Sequence, residues 1–96
     1  MPRQDHASGA TKTGRVARLG EEVRRRRREL GLRQAELAEL AGCSQRFVHT
    51  IEGGKTSLRL DKVLDVLEVL GLGLVLVPGR GRVGVKDDPS EESERE

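Results

Sequence analysis

A chain of 96 residues, 35% of them charged and with Phe47 as its one aromatic residue, has room for a single small domain and a modest core. Cys43 is the only cysteine, which excludes an internal disulfide or a cysteine-based zinc cluster, and no apolar run approaches the roughly 18 residues of a membrane span. The formal net charge is only +2, but residues 86–96 carry −4 and residues 1–85 carry +6, the balance of a basic body that meets a polyanion and bears an acidic extension.

Residues 1–14 are polar, contain glycine and show no period, so a flexible N-terminal arm is expected. They lack the apolar stretch of a secretory signal, and a cytoplasmic, nucleoid-associated protein is expected. Arg3, Lys12 and Arg15 leave two readings open: a floppy terminus, or an arm that follows a phosphate backbone or enters a minor groove. From Arg15 to Leu30 the apolar residues Val16, Leu19, Val23 and Leu30 recur at helical spacing, and Gly31 ends the helix. The run Arg24-Arg25-Arg26-Arg27-Arg28 wraps around this helix, so its members cannot share one task. Arg27, four residues from Val23 and three from Leu30, is expected to face inward and pair with an acid. For the rest, a solvated basic face and contact with nucleic acid both stand.

Residues 32–55 read as two short helices joined by a tight turn. Leu37, Ala38 and Ala41 share one side of the first, and Gly42 can take the left-handed conformation that stops it. Ser44 is suited to cap the second, since its hydroxyl accepts a free backbone N–H. Val48 and Ile51 form the apolar stripe of that helix. Gln45, Arg46, His49 and Thr50 are left on other faces, with the donors and acceptors needed to read base edges in a major groove. Thr56 and Ser57 then offer caps for a further helix near residues 58–70, with Leu60, Val63, Leu64, Leu67 and Leu70 as its buried stripe and Gly71 as its end. Residues 72–77, LGLVLV, are apolar on both faces, partly β-branched and halted by Pro78, which predicts a buried strand. A lone strand leaves its backbone unpaired. Residues 82–85 are only a weak candidate for a partner, so pairing with the same strand of a second copy is the simplest solution. Residues 79–96 read as a disordered acidic tail.

The stretch from Leu19 to Leu70 resembles the lambda/434-repressor-type helix-turn-helix family, also called the Xre family. The resemblance is carried by Leu30-Gly31-Leu32, Gln34, Glu36-Leu37-Ala38, Ala41-Gly42, Ser44, Val48, Ile51-Glu52, Gly54-Lys55 and Leu70-Gly71. It implies a mainly α fold of four to five helices, and the apolar strand after the last helix makes the layout similar to HipB-type antitoxins. The domain plan that follows is an arm over 1–14, a helix-turn-helix domain over 15–71, a dimerisation strand over 72–78 and a tail over 79–96. Leu72, Leu74, Val75, Leu76 and Val77 would form the dimer strand.

The resemblance also implies roles. Gln45, Arg46, His49 and Thr50 match base-reading positions; Arg46 would bind guanine and Gln45 adenine. Gln34 would hold a DNA phosphate, with Arg33, Ser44 and Lys55 near the same backbone. Arg27 and Glu52 match a pair that ties the first helix to the recognition helix. Arg33 departs from the Thr or Ser usual at its position, and an Arg cannot cap in that way. Phe47 is bulkier than usual and either packs over the core or meets the DNA backbone or a thymine methyl. The implied partners are a palindromic DNA operator, a second copy of the chain and a HipA-like kinase toxin.

Other chemistries find little support. Cys43, in the turn, is better read as a small filler than as a redox sensor. No metal-ligand cluster is present, and the glycines of residues 71–84 follow a helix and lack a Gly-Lys-Ser/Thr, so they do not make a phosphate loop. No catalytic constellation or cofactor site is visible, and an enzyme is not expected. The expected function is a repressor and antitoxin. A stand-alone regulator, and an interaction module whose helix-turn-helix does not read DNA, are the alternatives.

Overall fold

A computed structural model describes the backbone of residues 2–55 and 57–86 and the side chains of residues 16–55 and 57–86. Among the described residues the fold is four helices and no strand: α1 (Pro2–Glu29), α2 (Gln34–Ala41), α3 (Gln45–Glu52) and α4 (Leu60–Leu70). Thr56 and the tail beyond residue 86 lie outside the described residues, as do the side chains of Arg3, Lys12 and Arg15.

α1 is longer than its apolar period predicts. The backbone of residues 2–14, expected to be irregular, continues the helix. Once residues 15–29 are helical, each further residue adds a hydrogen bond without a new nucleus. Pro2 sits in the first turn, where its missing N–H is no loss, and the next proline is Pro78.

Three helices end on the same pair of backbone bonds. At the end of α2, the Gly42 amide donates to Glu39 (3.3 Å) and the Cys43 amide to Ala38 (3.0 Å). The motif needs a left-handed residue, and Gly42 has φ 73°. α1 closes likewise through Gly31 and Leu32, and α4 through Gly71 and Leu72. Leu72 then folds back against the core. The turn between α2 and α3 is therefore only Gly42, Cys43 and Ser44, and the Ser44 hydroxyl accepts the Phe47 amide at 3.0 Å as expected.

The core is Val23 from α1, Leu37 and Ala38 from α2, Val48 and Ile51 from α3, and Val63, Val66, Leu67 and Leu70 from α4. Each larger side chain among them contributes about 1.5–3 kcal/mol by leaving water. Two expectations for α4 change. It starts at Leu60 with Arg59 before it and no side-chain cap, so Ser57 does not cap it. Its buried stripe is Val63, Val66, Leu67 and Leu70, whereas Leu60 and Leu64 stay exposed. α4 is apolar over a wider arc than the small core can cover, and the side turned to α1–α3 is the one carrying Val66. Leu30, expected in the stripe of α1, is exposed because the helix stops before it and Leu32 takes the closing bond to Arg27.

Residues 72–86 form neither helix nor strand. The strand expected at 72–78 is absent within the chain, since a β-ladder needs a neighbour's N–H and C=O groups. Leu74, Val75, Leu76 and Val77 are all exposed, Leu76 by 97%.

Candidate nucleic-acid interface

α3 turns its apolar side fully inward: Val48 and Ile51 are 0% exposed. Gln45, Arg46 and His49, at i, i+1 and i+4, are consequently held in solvent on one outward face. None of the three has a described side-chain partner. Thr50 is half-buried at the edge of this face, and its hydroxyl donates to the Arg46 carbonyl at 2.8 Å, so only its oxygen is left for an outside donor. Phe47 is half-buried and packs against the core, the first of the two roles open to it in sequence.

The rear of α3 is fixed by a buried polar junction. Arg27 Nε donates to Glu52 Oε2 at 2.6 Å and Nη2 to Oε1 at 3.0 Å. Its remaining nitrogen, Nη1, donates to the Leu32 carbonyl at 2.8 Å. Both partners are nearly hidden, with side chains 10% and 5% exposed. Gln34 completes the junction by donating Nε2 to Glu52 Oε1 at 3.1 Å. Burial pushes the Glu52 carboxyl up, but the bonds from Arg27 and Gln34 outweigh it and hold the group below its ordinary value. No described buried side-chain polar atom lacks a partner. The inward Arg27 and its acid were legible in the sequence; the share Gln34 takes was not. The bond to Glu52 uses one of the two amide hydrogens of Gln34.

α1 also touches α3 directly. A Cβ at Gly20 would sit 2.3 Å from the Ile51 carbonyl oxygen, and one at Gly54 would sit 3.1 Å from the Ala17 Cα. The recognition face is thus held from behind by backbone contact as well as by the ion pair.

Of the implied phosphate contacts, Arg33, Ser44 and Lys55 are exposed. Ser44 still has a hydroxyl hydrogen to donate, since its oxygen accepts from Phe47. Arg33 cannot cap α2 by its side chain, as anticipated, but Glu36 compensates: its Oε1 accepts the Arg33 amide at 2.8 Å. That bond and the Arg33 side chain hold the Glu36 carboxyl below its ordinary value. The signal was present as a Glu three residues after the cap position. Cys43 packs against the core, and burial pushes its thiol up, away from the reactive thiolate. Among the described residues no group of His, Cys, Asp or Glu could hold a metal ion, and no helix is long and apolar enough to cross a membrane.

A short helix fixed at its rear, joined by a three-residue turn to a second helix and presenting amide, guanidinium and imidazole groups outward, is the arrangement of a helix-turn-helix protein. The chain belongs to the helix-turn-helix domain family, whose model matches residues 18–78, and this match supports an Xre-like relationship. It is 45% identical over 67 residues to an uncharacterized HTH-type transcriptional regulator, y4mF, of Sinorhizobium fredii, a match spanning 69% of this chain and 88% of that protein. It is 39% identical over 54 residues to an uncharacterized HTH-type transcriptional regulator of Haemophilus influenzae, spanning 56% and 55% of the two chains.

Proposed function

We propose that the protein is a sequence-specific DNA-binding regulator of transcription that works by binding rather than by catalysis. The observation that carries this reading is the outward face of α3, where Gln45, Arg46 and His49 stand free while Val48 and Ile51 lock the helix to the core. Bidentate contacts from Arg46 to guanine and from Gln45 to adenine discriminate by about 1–3 kcal/mol each. Arg33, Gln34, Ser44 and Lys55 set the register on the phosphates. Both relatives named above bear the name of transcriptional regulators, which supports the same reading.

The reading extends to a homodimeric repressor. Residues 74–77 expose four consecutive apolar side chains and make no backbone hydrogen bond among the described ones, and pairing them with a second copy would cover the side chains and supply backbone partners. The two recognition helices then enter major grooves about 34 Å apart on a palindromic operator. The antitoxin role, with a HipA-like kinase toxin as partner, rests on the layout of helix-turn-helix followed by an apolar segment, and a neighbouring kinase-like reading frame is its first test.

Fluorescence anisotropy with the duplex upstream of the gene, against a shuffled duplex, tests the central reading. Preferential binding to the upstream DNA, lost in Arg46→Ala while weak non-specific binding persists, is expected. Equal loss on both duplexes would remove Arg46 from base reading. Equal binding of the unmodified protein to both would leave the interaction-module alternative.

A further inference from the structure

Within the basic run of α1, three of five guanidiniums are committed inside the chain. Arg25 pairs with Glu22 and Glu29. Arg26 bonds the Leu70 carbonyl and Glu29, and Arg27 is held by Glu52 and Leu32. Arg24 and Arg28 are exposed and have no ion pair among the described side chains.

Their place on the helix is set by the contacts on either side. Arg26 turns toward α4 and Arg27 toward α3. Arg24 and Arg28 lie roughly 60° and 100° around from Arg27, on the side away from Arg26, at about 100° per residue. Ala17 lies on the same stripe, seven and eleven residues before them. Ala17 abuts Gly54, the residue before Lys55. The stripe therefore runs from the loop after the recognition helix past the Glu52–Gln34 junction. Arg24 is near enough to that junction for its charge to act on Glu52. The intervening acid, Glu21, is drawn to Arg18 at 3.5 Å.

We infer that Arg24 and Arg28, in line with Lys55, form a phosphate-gripping edge that carries the DNA backbone along α1 beyond the helix-turn-helix unit. The inference deepens the DNA-binding reading and rests on it. The charge is of the right sign, it borders the face that would meet the groove, and it is not neutralised by described carboxylates. A contact of this kind adds affinity without sequence information.

The test is the salt dependence of binding to the upstream and the shuffled duplex for the full chain and for Arg24→Gln/Arg28→Gln. Each lost phosphate contact lowers the slope of log K against log salt by about 0.9, so the double variant should fall by about 1.8 on both duplexes. The preference between duplexes should stay unchanged. Arg25→Gln, which removes a paired charge of the same helix, should leave the slope unaltered. An unchanged slope in the double variant, or an equal fall in Arg25→Gln, would overturn the inference. Absence of any preference in the unmodified protein would overturn the regulator reading instead, while a slope that still falls by about 1.8 would uphold the edge. Neither exposed arginine supports the fold, so far-UV circular dichroism of the double variant should match the parent.

Discussion

Gly20→Ala puts one methyl group where α1 crosses the end of the recognition helix. The new Cβ would lie 2.3 Å from the Ile51 carbonyl oxygen and 3.0 Å from that of Glu52. An ordinary contact between such atoms needs roughly 3.5 Å, so α1 must retreat by about 1 Å. Both obstacles are backbone atoms and cannot rotate away. Gly20 is mid-helix with no positive φ, so alanine alone would gain about 1 kcal/mol of helix propensity. Overpacking costs about 1–3 kcal/mol, more where backbone must move. The retreat also stretches the Arg27–Glu52 bonds, now 2.6 and 3.0 Å. The net effect is a loss of about 1–2 kcal/mol, or a fall in Tm of roughly 10 °C for a domain of this size. Thermal unfolding followed by circular dichroism reads this directly. Gly73→Ala, where nothing lies within 4 Å of the added Cβ, is the control and should melt like the parent. An unchanged or raised Tm in Gly20→Ala would refute the close approach of α1 and α3.

Arg27→Ala strands a buried carboxylate and should cost about 3–5 kcal/mol in chemical denaturation; a loss under 1 kcal/mol would mean the junction is open to water. The Glu52 carboxyl is held below its ordinary value, so its contribution is complete above the unfolded value of about 4.3 and disappears as pH falls through the lower folded value. Stability should therefore decline from about pH 4.3 downward, and Glu52→Gln, though less stable at neutral pH, should lose less over that interval; parallel acid limbs in the two proteins would refute the assignment. Leu76→Arg, at a side chain 97% exposed, should leave the helical signal intact; on the proposed dimeric reading the parent sediments as a dimer and the variant as a monomer, and a monomeric parent or a variant that stays dimeric would refute pairing through residues 72–77.

What was legible in the sequence follows from where the information is local. The turn glycine, the Ser44 cap and the Val48–Ile51 stripe are short-range signals, and each forms as its chemistry predicts. Arg27 could be placed because Val23, four residues before it, defines the buried face, although Leu30 on its other side is left exposed. α4 was harder: seven apolar residues at 60, 63, 64, 66, 67, 69 and 70 leave more than one possible buried stripe. Only the packing of the other helices selects Val66 over Leu60 and Leu64. The role of Gly20 was invisible for a related reason. A glycine inside a helix reads as a weak point until the carbonyl it must pass is known. Gln34, similarly, could be assigned outward by resemblance, but its inward bond depends on where α3 ends. The strand expectation concerned a contact between molecules, which no single chain can display.

The bond from Arg26 to the Leu70 carbonyl, at 2.9 Å, ties α1 to the point where the chain leaves α4. α1 is in turn seated on α3 through Gly20 and Arg27. The exit direction of the apolar segment is thereby geared to the orientation of the recognition helix. In a two-fold assembly joined through that segment, these two fastenings act as a ruler. On the proposed dimeric reading they would fix the separation of the two reading helices, so a protein with a loosened Arg26 would be expected to accept operators whose half-sites are spaced a base pair too near or too far.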